Sequence, residues 1–176
     1  MKKLLIVVDF QNDFVSGSLG FDKAKELDEK IYKKIIEYKN NGDLVIYTFD
    51  THHDDYLSTV EGKYLPVKHC IDGTLGHQLY GKVQTTFDKD NDVYFKKETF
   101  PSLDLSNYLK GKDFESVELC GLVSHICVLS NAIMVKAALP NTEIYVDKNL
   151  TSSAFETLNN ECFDVMKSLH INVIGE

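Results

Sequence analysis

Six short apolar runs alternate along this chain with segments of helical periodicity, and that alternation constrains the fold more than any other feature. Lys3-Leu4-Leu5-Ile6-Val7-Val8 opens the series. Its apolar positions are continuous rather than alternating, as in a strand covered on both faces of a parallel sheet. Further runs at residues 44–49, 92–96, 117–121, 143–146 and 171–174 follow. Leu27, Ile31, Ile35 and Tyr38 fall at helical spacing, which predicts a helix over 22–41 capped by Asp22 and stopped by Gly42. Helices are also predicted over 102–109 and 126–138, and from Ser153 to about Leu169, where Ser153-x-x-Glu156 has capping-box spacing. The predicted fold class is α/β: an open six-stranded parallel sheet, order 3-2-1-4-5-6, with helices on both faces.

A chain of 176 residues, 43% hydrophobic and 26% charged, has the size and balance of one packed domain over 1–176. Residues 50–91 are too many for a plain connection and read as an insertion that carries function. A net charge of −8 argues against nucleic acid and anionic membranes as partners. No apolar stretch reaches membrane-spanning length, and residues 4–8 run straight into Asp9, unlike a signal-peptide core. The expected location is the cytoplasm. The expected partners are a small-molecule substrate and, in a homo-oligomer, further copies of the chain. Cys70, Cys120, Cys127 and Cys162 are scattered and form no C-x-x-C pair, so free thiols are expected and a cysteine-rich zinc ribbon is excluded.

In open α/β sheets, ligands bind beyond the carboxyl ends of the strands, near the point where strand order reverses. Three chemically capable residues fall at such ends: Asp9 after the first strand, Lys97 after the third, Cys127 after the fourth. Each has a plainer reading. Asp9 can cap a turn, Lys97 can be a solvated lysine with Lys96 as its rival, and Cys127 can be a small buried hydrophobe. Alternation along a strand points the two lysines to opposite faces, so at most one enters a cleft. Cys127 stands where a helix is expected to begin, and a helix N-terminus lowers a thiol pKa. Together the three supply a nucleophile, a general base and a charge partner.

A second group opens the insertion. Asp50 and His52 project from one face of an extended chain, with Glu61 and His69 further along. Two imidazoles with carboxylates suit zinc, manganese or iron. His53, Asp54 and Asp55 are rival ligands, and a solvated polar loop is the alternative.

Asp9 with Asp13-Phe14-Val15, Asp50-x-His52, Gly73-Thr74-x-Gly76-x-x-Leu79-Tyr80, Lys97-x-x-Phe100 and Gly121-x-x-Ser124-x-x-Cys127-Val128 follow one another along nearly the whole chain. In this order they resemble the isochorismatase-like cysteine hydrolases, most closely the metal-containing nicotinamidases. The resemblance implies a triad of Asp9, Lys97 and Cys127. It implies one divalent ion on Asp50, His52, Glu61 and His69, with zinc first and manganese or iron as alternatives. It further implies a cis peptide at Leu122–Val123, an oxyanion hole from the N–H groups of Val123 and Cys127, and substrate contacts from Phe14, Leu65 and Phe100. The implied reaction takes nicotinamide to nicotinate and ammonia through a cysteine thioester, within pyridine nucleotide (NAD) salvage. The sequence departs from the family pattern at Phe100-Pro101, where Tyr-Ser is frequent, at His125 in place of aspartate, at Leu65 in place of an aromatic, and by one extra residue before His69. The rival expectations are a metal-free relative acting on another small amide or a vinyl ether, and a binding protein on a decayed hydrolase scaffold.

Overall fold

The protein is described from a computed structural model covering residues 1–175. Six strands, β1 (Leu4–Val8), β2 (Leu44–Asp50), β3 (Val93–Lys97), β4 (Ser116–Leu122), β5 (Glu143–Ser152) and β6 (Asn172–Ile174), form one sheet in the order β3-β2-β1-β4-β5-β6. Every pairing is parallel. The expected architecture and strand order are both found.

The helices are α1 (Asn12–Val15), α2 (Asp22–Lys25), α3 (Asp28–Asn40), α4 (Val60–Tyr64), α5 (Gly81–Gln84), α6 (Leu103–Leu109), α7 (Leu129–Ala138) and α8 (Glu156–Ser168). They cover both faces, which is why every side chain of β1 is fully buried. Leu4, Ile6 and Val8 pack with Leu105, Leu109, Val135 and Met166 on one side. Leu5 and Val7 pack with Ile31, Ile35, Tyr38 and Val83 on the other. Each such aliphatic burial contributes about 1.5–3 kcal/mol. The sandwiched strand at the centre is therefore the most firmly held part of the frame, and it is the strand that ends at Asp9.

Three local expectations need correction. The helix predicted over 22–41 is two helices: Asp22 is the first residue of α2 rather than its cap, and the chain leaves the helix at Glu26–Leu27. There Leu27 turns into the core, and the Asp28 carboxylate accepts from the N–H groups of Lys82 and Val83 (3.0 and 3.2 Å) at the start of α5. The Ser153–Glu156 capping box does not form, because β5 runs on to Ser152 and α8 begins at Glu156. After a register shift, Thr151 and Ser152 pair with Gly121 and Leu122, and Ser153 Oγ accepts from Phe155 N (3.0 Å) instead. Ser102 does behave as a cap, its Oγ accepting from Leu105 N at 3.1 Å.

The excursion after β2 contains a tight turn at Tyr56–Ser58, then α4 and α5. It returns across the C-terminal edge of the sheet through single bridges, His52 with Ile71 and Gln11 with Leu79. Among the described residues, no helix is long and apolar enough to cross a membrane. All four cysteines are free and buried.

Candidate active site

Asp9 leaves β1 between the ends of β2 and β4, where Val8 pairs with Thr48 on one side and Gly121 on the other. Its φ of +46° is unusual for a side-chain-bearing residue and tolerable for aspartate. Its carboxylate is fully buried and accepts from Thr48 Oγ1 at 2.7 Å. On β3, Lys97 stands in register with Asp50. Its ammonium lies 2.6 Å from Asp9 Oδ2 and 3.3 Å from Asp50 Oδ1, donates to Thr99 O (3.0 Å), and reaches Cys127 Sγ at 3.6 Å. Lys96 points the other way, into an exposed ion pair with Asp72 at 2.8 Å.

Cys127 is not at an α-helix start. It lies within a π-turn, Ser124–Val128, that joins β4 to α7, and Val128 N donates back to Val123 O at 3.2 Å. The Leu122–Val123 peptide is cis. The expected lowering of the thiol pKa is also reversed. Burial pushes the Cys127 thiol well above its ordinary value; Lys97 opposes this, and the Asp9 and Asp50 carboxylates reinforce it. Burial likewise raises Asp9, with Lys97 opposing. For Lys97, burial disfavours the ammonium, but Asp9, Cys127 and Asp50 outweigh it and hold the group charged. Asp50 is pulled far down: burial acts upward, and Lys97 and His52 win. Burial thus favours the neutral thiol, the two carboxylates favour the lysine ammonium, and Asp9 is disposed to take a proton.

Asp50 also belongs to the second group. Its Oδ2 lies 3.0 Å from His52 Nε2 and 3.3 Å from His69 Nε2, and Glu61 Oε1 lies 3.6 Å from each imidazole. The four donor atoms all fall within 4.8 Å of one another. Donors at the corners of a tetrahedron with bonds of about 2.1 Å would be about 3.4 Å apart, so the set fits one small divalent ion. His69 Nδ1 donates to Val67 O (2.8 Å), which leaves Nε2 as the free lone pair a metal requires. Tyr56 packs against both rings, with centroids at 4.6 and 5.0 Å. His53 is exposed, 3.9 Å from Glu98 and outside the group, and Asp54 and Asp55 are exposed as well. The extra residue before His69 does not displace it.

Cys127 and the metal group open onto one cavity of about 380 Å³, lined also by Phe14, Leu65, Phe100, Val123, His125 and Phe155. That size suits a small-molecule ligand. Phe14 meets His69 edge-on with centroids 5.5 Å apart. A larger neighbouring cavity shares Leu65, Phe100 and Glu61 and is lined also by His52 and Tyr64.

Sequence reasoning missed the supports. Gln11 Nε2 donates to Asp50 O (2.9 Å) and His77 O (2.8 Å), while its Oε1 accepts from Asp50 N (2.8 Å). One buried carboxamide thus clamps the aspartate shared by both groups. Asp13 Oδ2 accepts from Cys70 N at 2.7 Å, next to His69, and a side chain at Gly76 would collide with that carboxylate at 2.1 Å. Thr48 is the partner of Asp9. A buried-strand exit followed by Gln was a usable signal for Gln11; Thr48 needed the strand order first.

The all-parallel sheet order and the Asp9, Lys97 and Cys127 cluster gathered at its C-terminal edge define an α/β protein with a cysteine-centred candidate active site. Residues 3–175 match the isochorismatase domain family, and the chain belongs to that family. It is 33% identical to the isochorismatase family protein PncA of Bacillus subtilis over 143 residues, 76% of this chain and 78% of that one. It is 28% identical to the nicotinamidase of Saccharomyces cerevisiae over 218 residues, 99% of this chain and all of the other. The crystal structure of nicotinamidase PncA from Bacillus subtilis superposes with a TM-score of 0.87 at 27% identity, covering 99% of this chain and 100% of that one.

Proposed function

We propose that this chain hydrolyses nicotinamide to nicotinate and ammonia through a thioester on Cys127. One observation carries the reading: a single cavity has Cys127 in its wall together with Asp50, Glu61 and His69 of the metal group. It can therefore hold a nitrogen heterocycle at one end and a carboxamide at the other. The likeness to two nicotinamidases supports the same substrate.

Asp9 takes the proton from Cys127 Sγ, and the sulfur attacks the carboxamide carbon. Lys97 stays protonated throughout and offsets the negative charge passing between Asp9 and the sulfur. The N–H groups of Val123 and Cys127 bind the oxyanion, a stabilisation of several kcal/mol in comparable sites. The C–N bond then breaks as Asp9 returns its proton to the departing ammonia. Water, deprotonated by Asp9, cleaves the thioester, releasing nicotinate and restoring the thiol. Phe14, Leu65 and Phe100 enclose the ring. Asp50, His52, Glu61 and His69 hold one divalent ion, zinc before manganese or iron; when bound, it supplies a Lewis-acid contact that orients the pyridine nitrogen. On this reading the chain is one domain with residues 50–91 as its metal-bearing insertion, it assembles as a homo-oligomer, and its product feeds NAD salvage.

The test is ammonia release from nicotinamide by the purified chain. Wild type should turn over, and Cys127→Ala should lose about a thousandfold or more while retaining fold and metal content. A Cys127→Ala variant keeping a tenth of the activity would refute the nucleophile, and an inactive wild type with bound metal would refute the substrate.

A further inference from the structure

Asn131 lies one helical turn past Cys127, on α7, and is fully buried. Asparagine is a poor helix-interior residue, because its side chain competes for backbone hydrogen bonds. Here every bond it makes goes to a segment lining the cavity. Nδ2 donates to Cys127 O at 2.8 Å and to Phe100 O at 3.1 Å, and Oδ1 accepts from Ser102 N at 3.0 Å. The first bond runs from α7 back to the π-turn that carries the nucleophile. The other two cross to residues 100–102. Pro101 has no N–H, so the Phe100 carbonyl and Ser102 amide flank it, and both end on this one carboxamide.

The same segment has a second tie, Thr99 O accepting from Lys97 Nζ at 3.0 Å. Between the two ties lies Phe100, 43% exposed, which lines both this cavity and its larger neighbour. A ring on a loop can wall a cavity at constant width only if its backbone is fixed relative to the opposite wall. Asn131 stands on α7 directly after the π-turn that carries Cys127 and is bonded back to Cys127 O, so its bond to the Phe100 backbone ties the ring's segment to the turn that carries the sulfur.

We propose that Asn131 is a positioning residue: it pins the Phe100 segment to α7 and to the turn that carries Cys127, and thereby sets the width of the substrate cavity beside Cys127. This rests on the nicotinamide reading for its substrate, and on geometry alone for the cavity.

The test uses Asn131→Asp, which keeps the acceptor for Ser102 N and removes both donors, and Asn131→Leu, which removes all three bonds without adding charge. Both should raise KM for nicotinamide on the order of tenfold with kcat within about twofold. In a Phe100→Ala background the same substitutions should change KM by less than about twofold, because the group they position is gone. A readout independent of substrate is the alkylation of Cys127, located by mass spectrometry, by iodoacetamide and by a bulkier N-aryl iodoacetamide. The aryl-to-small rate ratio should rise about threefold or more in the variants, while the iodoacetamide rate alone stays within about twofold. An unchanged ratio, additive KM effects with Phe100→Ala, or parallel losses of kcat and iodoacetamide rate would overturn the proposal. Failure of both variants to fold would assign Asn131 a purely structural role and overturn it equally. If wild type does not hydrolyse nicotinamide but the alkylation ratio shifts, the substrate reading fails and the positioning role stands.

Discussion

Lys97 touches Asp9, Asp50, Thr99 and Cys127 at once, while Lys96 touches Asp72 at the surface, and one peptide bond separates them. Period-two geometry made that contrast readable before the fold was known, because neighbouring strand residues face opposite ways. Lys97→Met should lower kcat/KM about a hundredfold or more, and Lys96→Met less than about threefold, since an exposed ion pair contributes little. Equal effects would mean that the strand register is off by one. The direction of the Cys127 shift was not readable. A helix start alone lowers a thiol pKa, whereas complete burial raises it, and burial is a property of the assembled molecule. With Asp9 as the proposed base, a pH dependence follows. Burial raises its folded pKa above the ordinary 3.8, so it keeps a proton to higher pH, and the base form is lost as pH falls through that raised value. The acid limb of kcat/KM should therefore lie above 3.8 and report the coupled group rather than Asp9 alone. A limb at or below the ordinary aspartate range would contradict the assignment. Stability is a poorer readout, because the two aspartates act in opposite directions. The contribution of Asp9 is present below its unfolded pKa and lost as pH rises through its folded pKa; that of Asp50 is present above its unfolded value and lost as pH falls.

At the scale of elements, the end of β4 is the most exacting. Gly121 has φ +108°, and a Cβ there would lie 2.0 Å from Val8 O, on the strand that delivers Asp9. Gly121→Ala should destabilise the fold by about 2–4 kcal/mol, lowering Tm by roughly 5–15 °C, and a thermal melt within 2 °C or so of wild type would contradict this. The sequence placed the end of the strand at Gly121, whereas β4 runs on to Leu122 with Gly121 paired to Val8 and Thr151. The π-turn that follows was not visible in the sequence, and neither was the extension of β5 to Ser152, since both depend on which strand lies alongside. The failed capping box at Ser153 has the same origin: a local motif lost to a longer-range pairing.

Across the whole molecule, the metal group is assembled from the end of β2, from α4 and from the loop that returns over the sheet edge. Protein purified without chelator should bind about one divalent ion per chain, measured by elemental analysis. His52→Ala and His69→Ala should each remove it and raise KM for nicotinamide while Cys127 remains alkylatable, whereas His53→Ala should retain it. Chelation should lower Tm, because an ion bound only by the folded state stabilises that state. Loss of metal in His53→Ala alone would mean that the wrong histidine has been chosen. By itself the sequence determined the strand pattern, the parallel sheet through its unbroken apolar runs, and the residue types at the strand ends, because side-chain period and hydrophobicity are local properties. Tertiary structure alone decided that Asp50 serves two groups, that Gln11, Thr48 and Asn131 support them, and that burial pushes the Cys127 thiol up. Those facts arise from contacts between segments far apart in the chain and from a dielectric that exists only once both faces of the sheet are covered.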